Sequence, residues 1–309
     1  MKKIARSLDD SFIYDLKYGI LKNLLRRVHK DSTIDLQMRN NSIDIYYRGG
    51  VILHLEQKVG YYNASINQKY FGKENVVKFK EKIINENDIQ EWIELVSKIK
   101  EARDFHYSTK NTVERDFMQL TVRTNNYEKE IVKNNIIITD VEYDFIGKID
   151  LLALILTRTQ KKLDTEFAFI EGKYATSSST GKSGLVKHLS DIQEFISNHS
   201  DEFTLLKDDT KKIFKQKMEL NLYNFDIKHI ERELTIEDAK PKFIILLADY
   251  KISDSNLKDL IESINEDDYP KLDIRFSISS LMGYRLYKNC LFTKLETLEY
   301  IKNFSNGKI

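Results

Sequence analysis

Three strand-length apolar runs follow one another closely between residues 136 and 174: Ile136–Phe145, Lys148–Leu156 and Glu166–Tyr174. The runs predict three strands in succession. A fourth run, Phe243–Ala248, is continuously apolar and predicts a strand buried on both faces. Before the first run, Thr112 is placed to cap a helix that carries Val113, Phe117 and Leu120, with Glu114 and Asp116 at its positive end. After the third, a Ser/Gly loop at 176–184 opens a helix on Leu185, Leu189, Ile192 and Ile196. The order helix, three strands, helix, strand predicts an α/β fold around a mixed sheet. Further helices are expected near 201–220, at Leu257–Ile264 and near 293–304, with a strand at Ile274–Leu281.

The N-terminal third has a different pattern. Phe12, Leu16, Ile20 and Leu24 form one helical stripe. Alternating runs follow at Ile34–Met38, Ile43–Tyr47 and Val51–Leu55, separated by Asn40-Asn41 and Gly49-Gly50. Such turn pairs between alternating runs predict a β-meander, with Tyr61–Ile66 as a further strand. Residues 74–107 read as a charged helix with Trp92, Leu95, Val96 and Ile99 on one side. The change of pattern sets an expected boundary between an α+β region at 1–108 and a second domain at 109–309. Tyr46, Tyr47, Arg48, Tyr61 and Tyr62 read as packing residues of the meander rather than as base-stacking ones.

Composition narrows the function classes. Lys and Arg number 49 against 48 Asp and Glu, a net charge of +1, which excludes a chain that coats nucleic acid by bulk charge. Any phosphate-binding charge must be local. One cysteine, Cys290, excludes a disulfide scaffold and a cysteine-rich zinc module, and it reads as a small buried residue. The six histidines show no ligand spacing. With no signal-like apolar segment and no run long enough to span a bilayer, the expectation is a soluble cytoplasmic protein that does not use the membrane.

The chemistry is concentrated in GKIDLLAL, 147–154, and FAFIEGKY, 167–174. Asp150 interrupts a run of Ile and Leu, while Glu171 and Lys173 end another apolar run. Alternate strand residues share a face, so Glu171 and Lys173 project together, about 7 Å apart along the strand. If the two runs pair as a hairpin, Asp150 reaches the same spot. Burying three ionisable groups is costly unless they satisfy one another or a metal. Two carboxylates beside a lysine suit Mg²⁺, which binds through one or two carboxylates, water and substrate phosphate. Acid-x-Lys recurs six more times in this charged chain. Only Asp249–Lys251 also ends an apolar strand, and it has no isolated acid in a strand just before it.

This arrangement resembles the PD-(D/E)XK nuclease superfamily, the restriction-endonuclease-like fold, over residues 110–250. The resemblance implies Asp150 and Glu171 as metal ligands, the Gly172 carbonyl as a third oxygen, and Lys173 as the group that orients or deprotonates the attacking water. Glu114 is the candidate for the helix glutamate that the family often adds. The implied activity is Mg²⁺-dependent hydrolysis of DNA phosphodiester bonds, with Mn²⁺ as substitute, in a restriction, anti-phage or repair setting. An RNA substrate and an exonuclease mode are compatible with the same residues, and homodimerisation is the family analogy. The alternative is a silent nuclease-like fold that binds nucleic acid or a protein. Lys182 and Ser183 in the loop, and Lys187 and Gln193 on the helix after it, are the candidate nucleic-acid contacts. The loop is not a P-loop, and Ser197, not an aromatic, stands four residues after Gln193. His188 shares the helix face of Leu185, Ile192 and Phe195 and reads as a partly buried, hydrogen-bonded residue. Asp140 and Glu142 read as solvent-facing.

Overall fold

The structure is a computed structural model that describes residues 4–71, 78–109, 113–127, 136–144, 149–158, 163–174, 184–224, 234–249, 255–279, 286 and 290–305. The chain divides into two compact units, residues 3–129 with 212–225, and residues 130–211 with 226–309. Among the described residues no helix is long and apolar enough to cross a membrane.

The first unit begins with α1 (Asp10–Lys17) and α2 (Lys22–Lys30). The stripe from Phe12 to Leu24 is therefore not one helix. The chain turns at Gly19, where an added Cβ would run into the Asp15 carboxylate and lie 2.8 Å from the Asp15 Cα, and the break buries Leu21 in place of Ile20. The meander follows as β1 (Ile34–Met38), β2 (Ser42–Tyr47), β3 (Gly50–Lys58) and β4 (Tyr61–Ser65), and a short β5 (Lys82–Ile83) completes an antiparallel sheet in sequence order. Asn40 and Asn41 both take positive φ, as do Arg48 and Gly49, which gives the local twist that two-residue hairpin loops require. The third helix, α3 (Glu86–Thr109), starts later than its charged pattern suggests. Asn85 Oδ1 accepts the N–H groups of Asn87 and Asp88, and the Asp88 carboxylate accepts those of Ile84 and Asn85, a reciprocal cap that fixes the start.

The division between units falls after α4 (Val113–Asn126), not near residue 108. Polar anchors explain why α4 belongs with the meander. Gln119 accepts the Gly49 N–H and donates to the Tyr46 carbonyl, and the Tyr127 hydroxyl donates to Asp35. Thr112 lies outside the described residues. Tyr46 and Tyr62 are buried, and the Tyr47 and Tyr62 hydroxyls donate to Asp104 and Asp15. Burial first, then the Asp104 carboxylate, pushes the Tyr47 phenol up to about 12. These rings are packing elements of the unit.

The second unit is built from β6 (Ile136–Tyr143), β7 (Ile149–Arg158), β8 (Leu163–Tyr174), α5 (Leu185–Asn198), α6 (Ser200–Glu219, which continues into the first unit), β9 (Leu234–Ile236), β10 (Lys242–Ala248), α7 (Ser255–Glu262), β11 (Asp273–Ser279) and α8 (Lys294–Ser305). Its sheet runs β11-β10-β8-β7-β6, with β9 also paired to β8. β6 with β7 and β7 with β8 are antiparallel; β10 lies parallel to both β8 and β11. The sheet is mixed, as the element order predicts. Leu151 to Leu156 are all buried, so β7 is covered on both faces. Leu185, Leu189, Ile192 and Phe195 bury one stripe of α5, and Phe203 of α6 packs on Phe167 and Phe169 of β8. Cys290 is exposed, not buried, because it lies just outside the bridge by which Phe292 joins Phe276 of the edge strand β11.

One end of the sheet is clamped by charge. Lys242 at the start of β10 reaches Glu166 on β8 at 2.6 Å and Asp273 on β11 at 2.7 Å. Burial disfavours the charge on Asp273, but Lys242 and Arg275 outweigh it and hold its carboxyl below the ordinary value. A depressed carboxyl stabilises the fold above its unfolded pKa of about 3.9 and loses that contribution as pH falls through the folded value. Denaturant unfolding at a series of pH values should show wild type losing stability below about pH 4, with a shallower loss in Asp273→Asn. Equal slopes would mean that the clamp contributes nothing.

Candidate active site

The register of β7 and β8 brings the predicted acids together. Leu151 pairs with Ile170, and extending the ladder by one residue puts Asp150 opposite Glu171. Opposed residues of an antiparallel pair share a face, as do Glu171 and Lys173 two apart on one strand. All three side chains therefore belong to one face of the sheet, the face of Phe167 and Phe169 on which α6 packs. Gly172 donates its N–H to Asp150 Oδ2 at 2.8 Å, which ties the carboxylate of one strand to the backbone of the next.

The charges are buried. Lys173 Nζ donates to Glu171 Oε1 at 2.7 Å, with side-chain exposures of 6% and 2%. The other oxygen, Glu171 Oε2, lies 3.1 Å from His188 Nδ1 on α5. That distance suits an ion pair, yet neither atom makes a hydrogen bond, so the approach lacks hydrogen-bond alignment. His188 is partly buried as its helix face predicts, but its Nδ1 is not hydrogen-bonded. The available signal was its place on the sheet-facing stripe of the helix that follows the acid–Lys strand.

The remaining candidates lie elsewhere. Glu114 is on α4 in the first unit, whereas the other three belong to the second. Lys182 and Ser183 fall outside the described residues. Lys187 is exposed and paired with Asp191 one turn along α5. Gln193 accepts the Lys271 N–H and donates to Ser197, so both ends of its amide are engaged on the surface. Asp249 lies just past β10, exposed, with φ of 55° and the Tyr174 hydroxyl on its carboxylate, unlike the buried Glu171. Asp140 is buried rather than solvent-facing, because a bulge at Ile138/Asp140 shifts the register and Asp140 accepts the Val141 N–H. Glu142 is exposed, and the flanking pairs Val141–Leu151 and Tyr143–Ile149 set it opposite Asp150.

Among the described residues there is no group of three or more His, Cys, Asp or Glu arranged to hold a metal ion. No protein-family model matches the chain, and neither the curated proteins nor the solved structures contain a match.

The buried Glu171–Lys173 pair makes a stability test possible. Removing one partner of a buried pair costs about 3–5 kcal/mol, while replacing both by apolar groups is near neutral. Without divalent ions, Lys173→Met should lose about 3 kcal/mol, and Glu171→Leu/Lys173→Met should recover most of it. Additive losses in urea unfolding would show that the two charges are not coupled.

Proposed function

We propose that the second unit is a divalent-metal-dependent nuclease that hydrolyses phosphodiester bonds in DNA, acting as an endonuclease. One observation carries this reading: Glu171 Oε2 is buried without a hydrogen bond beside a second carboxylate and a buried ammonium. A buried carboxylate oxygen left this way is costly in a purely structural role, and a cation removes the cost. Within the second unit the order β6, β7, β8, α5, β10 supports the reading, because it is the order of three strands, helix and strand that the PD-(D/E)XK resemblance implies; the helix that precedes them, α4, belongs to the first unit.

The residues fit the group. Asp150, Glu171 and the Gly172 carbonyl are hard oxygen donors, and Mg²⁺ usually takes only one or two carboxylates, with water and phosphate completing its shell. A bound ion would polarise the scissile phosphate and lower the pKa of its water. The chain's own residues do the positioning. The Gly172 N–H fixes the Asp150 carboxylate at the strand edge, so the acid is preorganised. The Lys173 ammonium, anchored on Glu171 Oε1, would orient the attacking water and offset charge developing on the phosphate. The apolar cluster of Phe167, Phe169, Phe195 and Phe203 backs this face and gives the charged groups a rigid floor.

Cleavage of supercoiled plasmid and linear DNA with Mg²⁺ or Mn²⁺ tests the proposal. Wild type should nick or linearise plasmid, and EDTA should stop it. Asp150→Asn keeps an acceptor for Gly172, and Lys173→Met keeps bulk; each should lose about 10²–10⁴-fold in rate. Wild-type inactivity with both ions, or variants as active as wild type, would overturn the reading. DNA binding without cleavage would point to a silent binding module.

A further inference from the structure

Resting on that reading, we propose that His188 is a nitrogen ligand to the ion held by Glu171, and that the site therefore prefers a transition ion such as Mn²⁺ to Mg²⁺.

The argument is geometric. His188 Nδ1 and Glu171 Oε2 are 3.1 Å apart, both buried, and neither is hydrogen-bonded. A proton shared between them would need the N–H axis to point at the oxygen, and that alignment is missing. A shared cation needs the opposite. Each lone pair must point at a common third position, so the line between the two atoms lies well off both lone-pair axes. With metal–ligand distances of about 2.1 Å, adjacent corners of an octahedron are about 3.0 Å apart, close to the observed separation. Lys173 already occupies Oε1, which leaves Oε2 as the oxygen of Glu171 that faces the histidine.

The fold explains how the pair is held. His188 stands one turn along α5 from Leu185 and next to Leu189, both fully buried. The helix face that packs against the sheet thus carries the imidazole down onto β8, and the ring's position is set by core packing rather than by a mobile loop. Imidazole suits Mn²⁺-to-Zn²⁺-type ions better than Mg²⁺, whereas an all-oxygen set favours the harder ion. A nitrogen donor facing Glu171 Oε2 changes the metal preference of an ion held by that carboxylate.

Two direct measurements test the inference on the full chain. In calorimetric titration with MnCl₂ and MgCl₂, wild type should bind Mn²⁺ more tightly. His188→Ala and His188→Asn should each lose about tenfold or more in Mn²⁺ affinity and clearly less in Mg²⁺ affinity, so that the preference for Mn²⁺ shrinks. Pulsed electron paramagnetic resonance of the Mn²⁺-loaded wild type should show coupling to an imidazole ¹⁴N, a readout that depends on no variant. Absence of that coupling, or Mn²⁺ affinity that is independent of His188, would overturn the inference. If Mn²⁺ binding needs Glu171 (lost in Glu171→Gln) but not His188, only this inference fails. If wild type binds neither ion, or Glu171→Gln binds as well as wild type, the nuclease reading fails with it.

Discussion

A carboxylate almost cut off from water, Glu171, imposes the main constraint on the second unit. It sits near the end of β8, in the middle of the sheet, with Lys173 on one oxygen and His188 facing the other. Burying that charge would cost several kcal/mol without compensation. The hairpin places Asp150 opposite it, the parallel neighbour β10 walls it with Ile245 and Leu247, and α5 covers it. The strand that carries the acid is apolar up to that point, and the opposite end of the sheet is pinned by the Lys242 clamp. A buried carboxylate with one oxygen lacking a hydrogen bond thus lies at one end of the sheet, and a fully paired charge clamp at the other.

Much of the fold could be read in the residues themselves. Asn40-Asn41 and the Gly49 turn marked the meander, because positive φ is restricted to few residue types. The uninterrupted Phe243–Ala248 run marked the buried parallel strand. Asp150, Glu171 and Lys173 stood out because charge inside an apolar run is rare enough to require a reason. Their common face followed from strand alternation and hairpin register, which are local rules.

What could not be read depended on contacts between distant segments. The break at Gly19 is a matter of backbone crowding against Asp15, invisible to a four-residue periodicity. The assignment of α4 to the first unit rests on Gln119 and Tyr127 reaching β1 and β2, contacts that no pattern of apolar residues encodes. The β6 bulge buried Asp140, since one extra residue reverses which side chains face inward. The approach of His188 to Glu171 joins a helix to the strand that precedes it in the chain, and periodicity supplied only the helix face of His188.

The central claim is that Asp150 and Glu171 form one cation site with Lys173 as its resident positive charge. A crystal structure of the Mn²⁺-soaked protein, with an anomalous difference map, addresses it most directly. The account predicts an anomalous peak within coordination distance, about 2.2 Å, of carboxylate oxygens from both Asp150 and Glu171. A map with no peak there, and with Glu171 held only by Lys173 and His188, would contradict it.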